Sequence, residues 1–241
     1  MNKLKTAIRV TELDGFSDSL IRDFKADEKA QSDAFLQATM TNLETLSSQI
    51  TTAILQDKAL STLEACDTVR DEAVKTLGSL LSAYAVFPVA EKQELALPLK
   101  AVYDKYAKTG ITNASYISES SMIESLLEDL AVSSLAENIA GLDGISQAIS
   151  QIRSAQDDFA SANDAYVKAC GSKGASASSI KKPIVSLIND KLIPYLNALV
   201  IAESDVVADF ATAVETEINR INETIAKRAK KTTSSSDEAT A

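Results

Sequence analysis

The stretch Ser61–Pro88, STLEACDTVRDEAVKTLGSLLSAYAVFP, carries the regular apolar pattern that decides the fold. Within residues 58–87, apolar residues recur at steps of three or four, at Leu63, Cys66, Val69, Ala73, Leu77, Leu80, Tyr84 and Phe87. That spacing places them on one face of an amphipathic helix. Pro88 predicts the end of this helix, because proline disfavours helical geometry in the residue before it.

The same spacing recurs along most of the chain and predicts further helices. They are expected at 17–25, 28–56, 90–108, 115–139, 142–170, 179–199 and 207–228. Pro98 predicts a kink or a later helix start near Leu97, Pro183 is expected in a first turn, and Pro194 predicts a kink. Only 7 glycines and 4 prolines are present, whereas strand-rich folds use these residues in frequent turns. The sequence therefore predicts an all-α, elongated antiparallel bundle of about six to seven helices.

The domain organisation follows from where this pattern starts and stops. Residues 1–14 are expected to be a lead-in with an extended piece at 7–13, residues 15–230 a helical-bundle domain, and residues 231–241 a disordered tail. The order of long, proline-bearing and closing helix occurs twice, at 58–140 and 142–228. This order predicts two similar three-helix units plus an N-terminal helix, the alternative being a chance resemblance among amphipathic helices.

Charge and cysteine usage bound the function class. The net charge of −10 argues against nonspecific nucleic-acid binding and against anionic membrane surfaces, since both need a cationic face. No signal peptide and no apolar stretch long enough to span a bilayer is evident. Cys66 and Cys170 match no metal or redox spacing, so a reducing, cytoplasmic compartment is expected.

The residues needed for common catalytic and metal sites are missing. The chain has no histidine, which removes Ser-His-Asp systems, His-ligated zinc and the His-containing di-iron bundle. No glycine pair has phosphate-loop spacing. Asp67 and Asp71 could form a paired-acid site, but solvated helix faces often show this spacing, and Arg70 is expected to pair with Asp67 at the surface. We therefore predict no catalytic residue, no metal ligand and no cofactor.

The corner Tyr106–Ser121, YAKTGITNASYISESS, offers the only cluster of candidate site residues. Tyr103, Tyr106 and Tyr116 could place phenols around a pocket. The alternative is a simple corner, in which Gly110 ends one helix and Ser115 or Ser121 caps the next. The two cysteines lie on apolar stripes, where burial as small hydrophobes competes with a role as reactive thiols.

A longer stretch around this corner, VYDKYAKTGITNASYISESSMIESLLEDL (Val102–Leu130), resembles an uncharacterised all-helical family from Bacteroidota. Its members have about the length of this chain, 241 residues. The RD of CDTVRDEAVKTL and the AN of FASANDAY fit the same family, and the resemblance covers about residues 10–228. The YAKTG corner departs from it, since the family's glycine is closer to the tyrosine. The resemblance implies the fold and brings no activity or site residue with it.

Three functions compete at this stage. The first is a noncatalytic helical protein that acts through a protein partner or as a homo-oligomer. The second is a carrier with a small molecule or lipid between its helices. The third is an enzyme that uses carboxylates or the three tyrosines. The first is favoured, because many amphipathic helices accompany the lack of a catalytic constellation.

Overall fold

The computed structural model of the protein describes residues 1–171, 174–202 and 204–237. All regular structure in these residues is helical, which confirms the all-α prediction. The helices are α1 (Val10–Ala26), α2 (Glu28–Gln31), α3 (Ala34–Ala85), α4 (Ala90–Lys108), α5 (Tyr116–Leu130), α6 (Ala136–Ala140), α7 (Ile145–Ala169), α8 (Ala177–Leu187), α9 (Ile193–Ala202) and α10 (Ser204–Asp237).

Helix α3 is a single helix where the sequence predicted two. It continues from Ala34 to Ala85, because the expected break near residue 57 contains no glycine or proline and Gln, Asp and Lys are compatible with a helix. Its start is set by the Asp33 carboxylate, which accepts the Leu36 backbone N–H at 2.8 Å. The long helix therefore joins two segments of core that sequence reasoning had assigned to separate helices.

The N-terminal lead-in is also more helical than the sequence predicted. Helix α1 begins at Val10, so the extended piece expected at 7–13 is wrong. The Glu12 carboxylate accepts the Arg9 backbone N–H at 2.8 Å, which satisfies a donor that the first helical turn leaves free. Before the helix, Leu4 and Ile8 are buried, so the lead-in is part of the packed structure.

The chain divides into two compact units, 1–57 with 172–241, and 58–171. The expected repeats, 58–140 and 142–228, do not coincide with them. Helix α7 lies in the second unit with the earlier repeat, whereas α8 to α10 lie in the first unit. Each unit thus combines four long helical segments, with α3 contributing its N-terminal part to the first unit and the rest to the second.

In the first unit, the core is formed by α1, the start of α3, and α8 to α10. A π-helical turn, Ile188–Leu192, joins α8 and α9, directly before Pro194, which has no N–H for a regular helical bond. The buried Asn189 side chain in that turn accepts the Leu4 N–H at 2.8 Å and donates to the Leu4 carbonyl at 2.9 Å. The proline-bearing helix thereby holds the N-terminal segment in place.

Several predicted helix ends move by a few residues. Helix α4 begins at Ala90, so a start near Leu97 is wrong, and Pro98 lies inside it. Pro183 lies beyond the first turn of α8, because this helix begins at Ala177 with Ser176 as its cap, earlier than the predicted start at 179. Gly110 has the predicted left-handed conformation, with φ of 75°. Ser115, the earlier of its two candidates, caps α5.

The end of the last helix overlaps the segment for which a tail was expected. Helix α10 extends to Asp237, and residues 238–241 lie outside the described residues. Residues 172 and 173, between α7 and α8, also lie outside them.

Within the described part of the chain, one helical run, Ala177–Ala202, is long and apolar enough to cross a membrane by length and composition. Its mean hydropathy is 1.4 and 44% of the window is buried. Leu187, Ile188, Leu192 and Ile193 of this run lie in the first unit's core. A core helix of a folded protein passes the same test, so this run is weak evidence for a membrane segment.

In the second unit, positions 69 and 70 of α3 depart from the predicted apolar stripe. Val69, assigned to the buried face, is 56% exposed, whereas the neighbouring Arg70 is fully buried. The core around it is made by α3, α4, α5 and α7, and includes Val74, Leu77, Leu81, Leu99, Ile123, Leu126, Leu130, Ile145 and Ile152.

Replacement by alanine is expected to have opposite effects on stability at two helical glycines. A Cβ at Gly15 meets nothing within 4 Å, whereas one at Gly78 would lie 2.3 Å from the Tyr103 hydroxyl oxygen. Gly15→Ala is expected to stabilise the protein by about 1 kcal/mol, because alanine loses less backbone entropy in a helix. Gly78→Ala is expected to lower the free energy of unfolding measured in urea. A gain in stability from Gly78→Ala would contradict the tight contact with Tyr103.

Candidate functional site

The most unusual group of side chains in the second unit surrounds Arg70. This residue occupies a core position of α3, four residues after Cys66 and four before Val74, and none of its surface is exposed. An arginine cannot lose its charge inside a protein, so burial requires that neighbouring groups replace the lost hydration.

Two carboxylates supply most of that compensation. The Arg70 Nη2 donates to Asp67 Oδ1 at 2.7 Å and to Glu119 Oε2 at 2.8 Å. The Glu119 side chain is itself only 3% exposed, whereas that of Asp67 is 27% exposed. Arg70 and Glu119 therefore form a buried, charge-assisted hydrogen bond between α3 and α5.

Neutral groups from α5 and α7 complete the surroundings. Arg70 Nη1 donates to the Ser120 hydroxyl at 2.9 Å and to Gln156 Oε1 at 3.3 Å. The guanidinium carbon lies 3.5 Å from the centre of the Phe159 ring, in the geometry of a cation–π contact. The Tyr116 ring meets the same Phe159 edge-on, with centroids 5.2 Å apart.

The carboxyl group of Glu119 titrates near neutral pH. Burial raises its pKa, the positive charge of Arg70 opposes that rise, and the carboxylates of Asp71 and Asp67 add to it, with a resulting pKa of about 7. Glu119 Oε1 and Asp71 Oδ1 are both buried without a donor, and the nearby Asp71 carboxylate contributes to the raised pKa of Glu119. One proton shared between these oxygens would satisfy both.

With that proton in place, the cluster is electrically balanced. Asp71 Oδ2 accepts the Lys75 ammonium at 2.8 Å, which raises the pKa of Lys75. Arg70 and Lys75 then oppose Asp67 and Asp71, and Glu119 is neutral. We call Asp67, Arg70, Asp71, Glu119 and Gln156 the Arg70 cluster. Arg70, Glu119 and Gln156 are buried, and Arg70 is hydrogen-bonded to the other two. The cluster is therefore suited to holding α3, α5 and α7 together.

The three candidate tyrosines have separate surroundings. The Tyr103 ring packs on Gly78 of α3, and burial raises its pKa. The Tyr106 hydroxyl donates to Asp129 at 2.6 Å, and burial together with this bond raises the pKa of Tyr106. Only Tyr116 reaches the Arg70 cluster, through Phe159. The three phenols thus lie against different neighbours, with Gly110 following the end of α4 and Ser115 capping α5.

Other groups singled out in the sequence give no convergent site. Cys66 and Cys170 are unpaired thiols and half-buried. Among the described residues, no group of three or more His, Cys, Asp or Glu side chains is placed to hold a metal ion. Arg70 and Asp67 do pair as predicted, but in the interior and not at the surface.

Sequence reasoning missed Glu119 and Gln156, although a signal for both exists. Glu119 lies four residues before Ile123, and Gln156 lies four after Ile152, so both fall on the apolar stripes of their helices. Arg70 does the same in α3. A polar residue at a stripe position on three helices indicates a buried polar network.

A family model described as a family of unknown function, DUF6261, matches residues 60–222. The match covers more than half of the 241 residues, so the chain belongs to this family. It confirms the resemblance to an uncharacterised domain. No curated protein and no solved structure matches the chain.

We expect that replacing Arg70 alone destabilises the protein more than replacing Arg70 and Glu119 together. Arg70→Met is expected to cost about 3–5 kcal/mol, because it leaves buried carboxyl groups without their cation. Adding Glu119→Gln is expected to restore part of this loss. The free energies of unfolding of the two single variants and the double variant measure the coupling.

Arg153→Met provides the matched control. Arg153 pairs with Glu124 in the same unit, but both side chains are nearly half exposed, so the expected cost is under about 1 kcal/mol. Equal losses from Arg153→Met and Arg70→Met would contradict a special role for the buried cluster.

The pKa of Glu119 predicts how stability changes with pH. Its pKa is raised from 4.5 to about 7 in the folded protein, so the folded state binds the proton more tightly than the unfolded state does. The resulting stabilisation is fully present below pH 4.5 and is lost as the pH rises through about 7. Glu119→Gln should remove this dependence, measured as the difference in melting temperature from the original protein between pH 5 and 8. A constant difference over that range would contradict the assignment.

Proposed function

We propose that this member of the DUF6261 family is a noncatalytic helical protein that acts by binding other proteins. The observation that supports the proposal most is a run of exposed apolar residues between α3 and α4. This run, which we call the tip, consists of Val86, Phe87, Pro88 and Val89, and all four are exposed. Val86 is 77% exposed.

Consecutive exposed residues of this kind differ from ordinary surface apolar residues. Single exposed apolar side chains are common on any protein and have no special meaning. In the isolated protein, a contiguous apolar group on a loop between two helices stays largely in contact with water. Such patches are typical of interaction sites. Binding of another protein would bury them.

The placement of the polar side chains also supports a noncatalytic function. Arg70 and Glu119, the strongest candidates for chemistry, are enclosed in the second unit and bonded to each other. Tyr103 and Tyr106 are held by separate neighbours. An enzyme that uses carboxylates or these tyrosines is therefore the least favoured of the three functions.

A carrier of small molecules stays the second candidate. In the first unit, a surface groove of about 490 Å³ is lined by residues that include Lys3, Lys181, Lys182, Val185 and Asp190. Its volume is in the range of ligand sites. Lys181 and Lys182 could pair with an anionic group of a ligand, whereas Lys3 already pairs with Asp190.

We place the protein in the cytoplasm as part of this proposal. The two half-buried, unpaired cysteines suit a reducing compartment, and the acidic net charge of −10 keeps the chain apart from nucleic acid and anionic membrane surfaces.

The proposed function predicts that the tagged full chain, purified gently from its native cell, retains a protein in fixed stoichiometry or elutes as a homo-oligomer. Light scattering on the eluted complex gives its mass, and mass spectrometry identifies its components. As a control, the same tag is placed on an unrelated acidic helical protein. A monomeric chain that retains no protein above this control, and instead carries a small molecule, would favour the carrier.

A further inference from the structure

We propose that the tip docks into an apolar groove on a different protein, and that lysine or arginine side chains rim this groove. The inference rests on the proposed function and specifies the surface and the chemistry of its partner. It is carried by three properties of the tip: its exposure, its rigid support, and the charges beside it.

The tip is held in a fixed shape by the elements around it. The Phe87 backbone N–H donates to the Tyr84 carbonyl at 3.1 Å, and the two rings lie 5.7 Å apart. The Tyr84 hydroxyl donates to the Asp143 carbonyl at 3.0 Å, and the Lys92 ammonium donates to the Gly141 carbonyl at 2.5 Å. A surface that is already ordered loses little entropy when it binds, which favours affinity.

The backbone of the tip offers few hydrogen-bond donors. Pro88 has no N–H, the Val86 and Phe87 N–H groups bond to the Ala83 and Tyr84 carbonyls, and the Val89 carbonyl already accepts the N–H groups of the first turn of α4. What the tip offers to another molecule is therefore chiefly apolar side-chain surface. A groove of apolar side chains is its natural complement.

The charges beside the tip are almost all negative. Residues 82–95 and 136–145, which hold the tip, contain four carboxylates, Glu91, Glu94, Glu137 and Asp143, and all four are exposed. The same stretches contain a single cation, Lys92, which is half-buried and bonded to Gly141. An apolar surface beside four carboxylates is complementary to a groove with a cationic rim.

This charge pattern separates the possible occupants. A second copy of the chain would bring like charges together around the two tips, and an anionic membrane would repel the same carboxylates. A protein groove with a basic rim gains from both the apolar contact and the charges. The tip would fill the groove, and the carboxylates would set the orientation and speed the encounter.

The test uses the full chain with a photo-reactive phenylalanine analogue at position 87, expressed in the native cell. The same analogue at position 167 is the control, since Val167 is exposed on α7 of the same unit. We expect a cross-linked protein at position 87 only, joined through an apolar segment next to lysine or arginine. Cross-linking through an acidic segment, to lipid, to a second copy, or equally at both positions would overturn the proposal.

The purified partner then allows the two parts of the surface to be measured. Val86→Ser with Phe87→Ser, and separately Glu91→Lys with Asp143→Lys, are each expected to weaken binding at least about tenfold. Val167→Ser should leave the dissociation constant unchanged. Glu91, Asp143 and Val167 are exposed, so the melting temperatures of their variants should stay near that of the original protein. Phe87→Ser also removes the ring contact with Tyr84, so Val86→Ser alone, at a side chain 77% exposed, is measured beside the double variant and should also weaken binding. Unchanged affinity in either double variant would overturn the proposal.

Failure of this inference is distinguishable from failure of the proposed function. If the tagged chain retains a partner and the Val86→Ser, Phe87→Ser variant retains it equally well, the tip is not the docking surface and the proposed function stands. If the tagged chain retains nothing and position 87 gives no cross-link, both are wrong.

Discussion

The buried guanidinium of Arg70 sets the condition that the helices of the second unit must satisfy. Its charge is permanent, so each helix around it has to present a matching group at the right height. Helix α3 provides Asp67, α5 provides Glu119, and α7 provides Gln156. These contacts fix the rotation of each helix about its axis more narrowly than apolar packing alone, because an apolar face tolerates small shifts and a hydrogen bond does not.

That requirement also explains why Glu119 titrates near neutral pH. Arg70 pairs with Asp67 and Glu119, and the adjacent Asp71 pairs with Lys75. Ionisation of all three carboxyl groups would leave one negative charge more than the two cations balance, and Glu119 is the one that is almost fully buried. A proton on Glu119 removes this charge and satisfies two buried oxygens at once. The packing of α5 against α3 is therefore linked to pH through a single group.

The fold was largely predictable, because apolar residues at steps of three or four occur in every long helix. The errors have specific causes. Nothing in the sequence breaks α3 near residue 57, but a gap in the stripe resembled a helix end. Local polarity favours Val69 over Arg70 as the core residue, whereas the buried carboxyl group that accommodates Arg70, that of Glu119, comes from α5, 49 residues along the chain. From the sequence, the tip is recognisable only as the end of a helix, because Phe87 continues the apolar stripe. Whether Phe87 is exposed depends on the tertiary packing after Ala85.

The distribution of polar and apolar groups argues for recognition over chemistry. The side chains that could act on a substrate, Arg70 and Glu119, are paired with each other inside the second unit. The groups that remain for other molecules at one end of that unit are the apolar tip and the carboxylates beside it. In the proposed function, this surface binds and orients another protein, while Arg70 and Glu119 hold the helices together. The same helix, α3, carries Arg70 in its interior face and leads into the tip, so the cluster that orders this helix also supports the surface it presents.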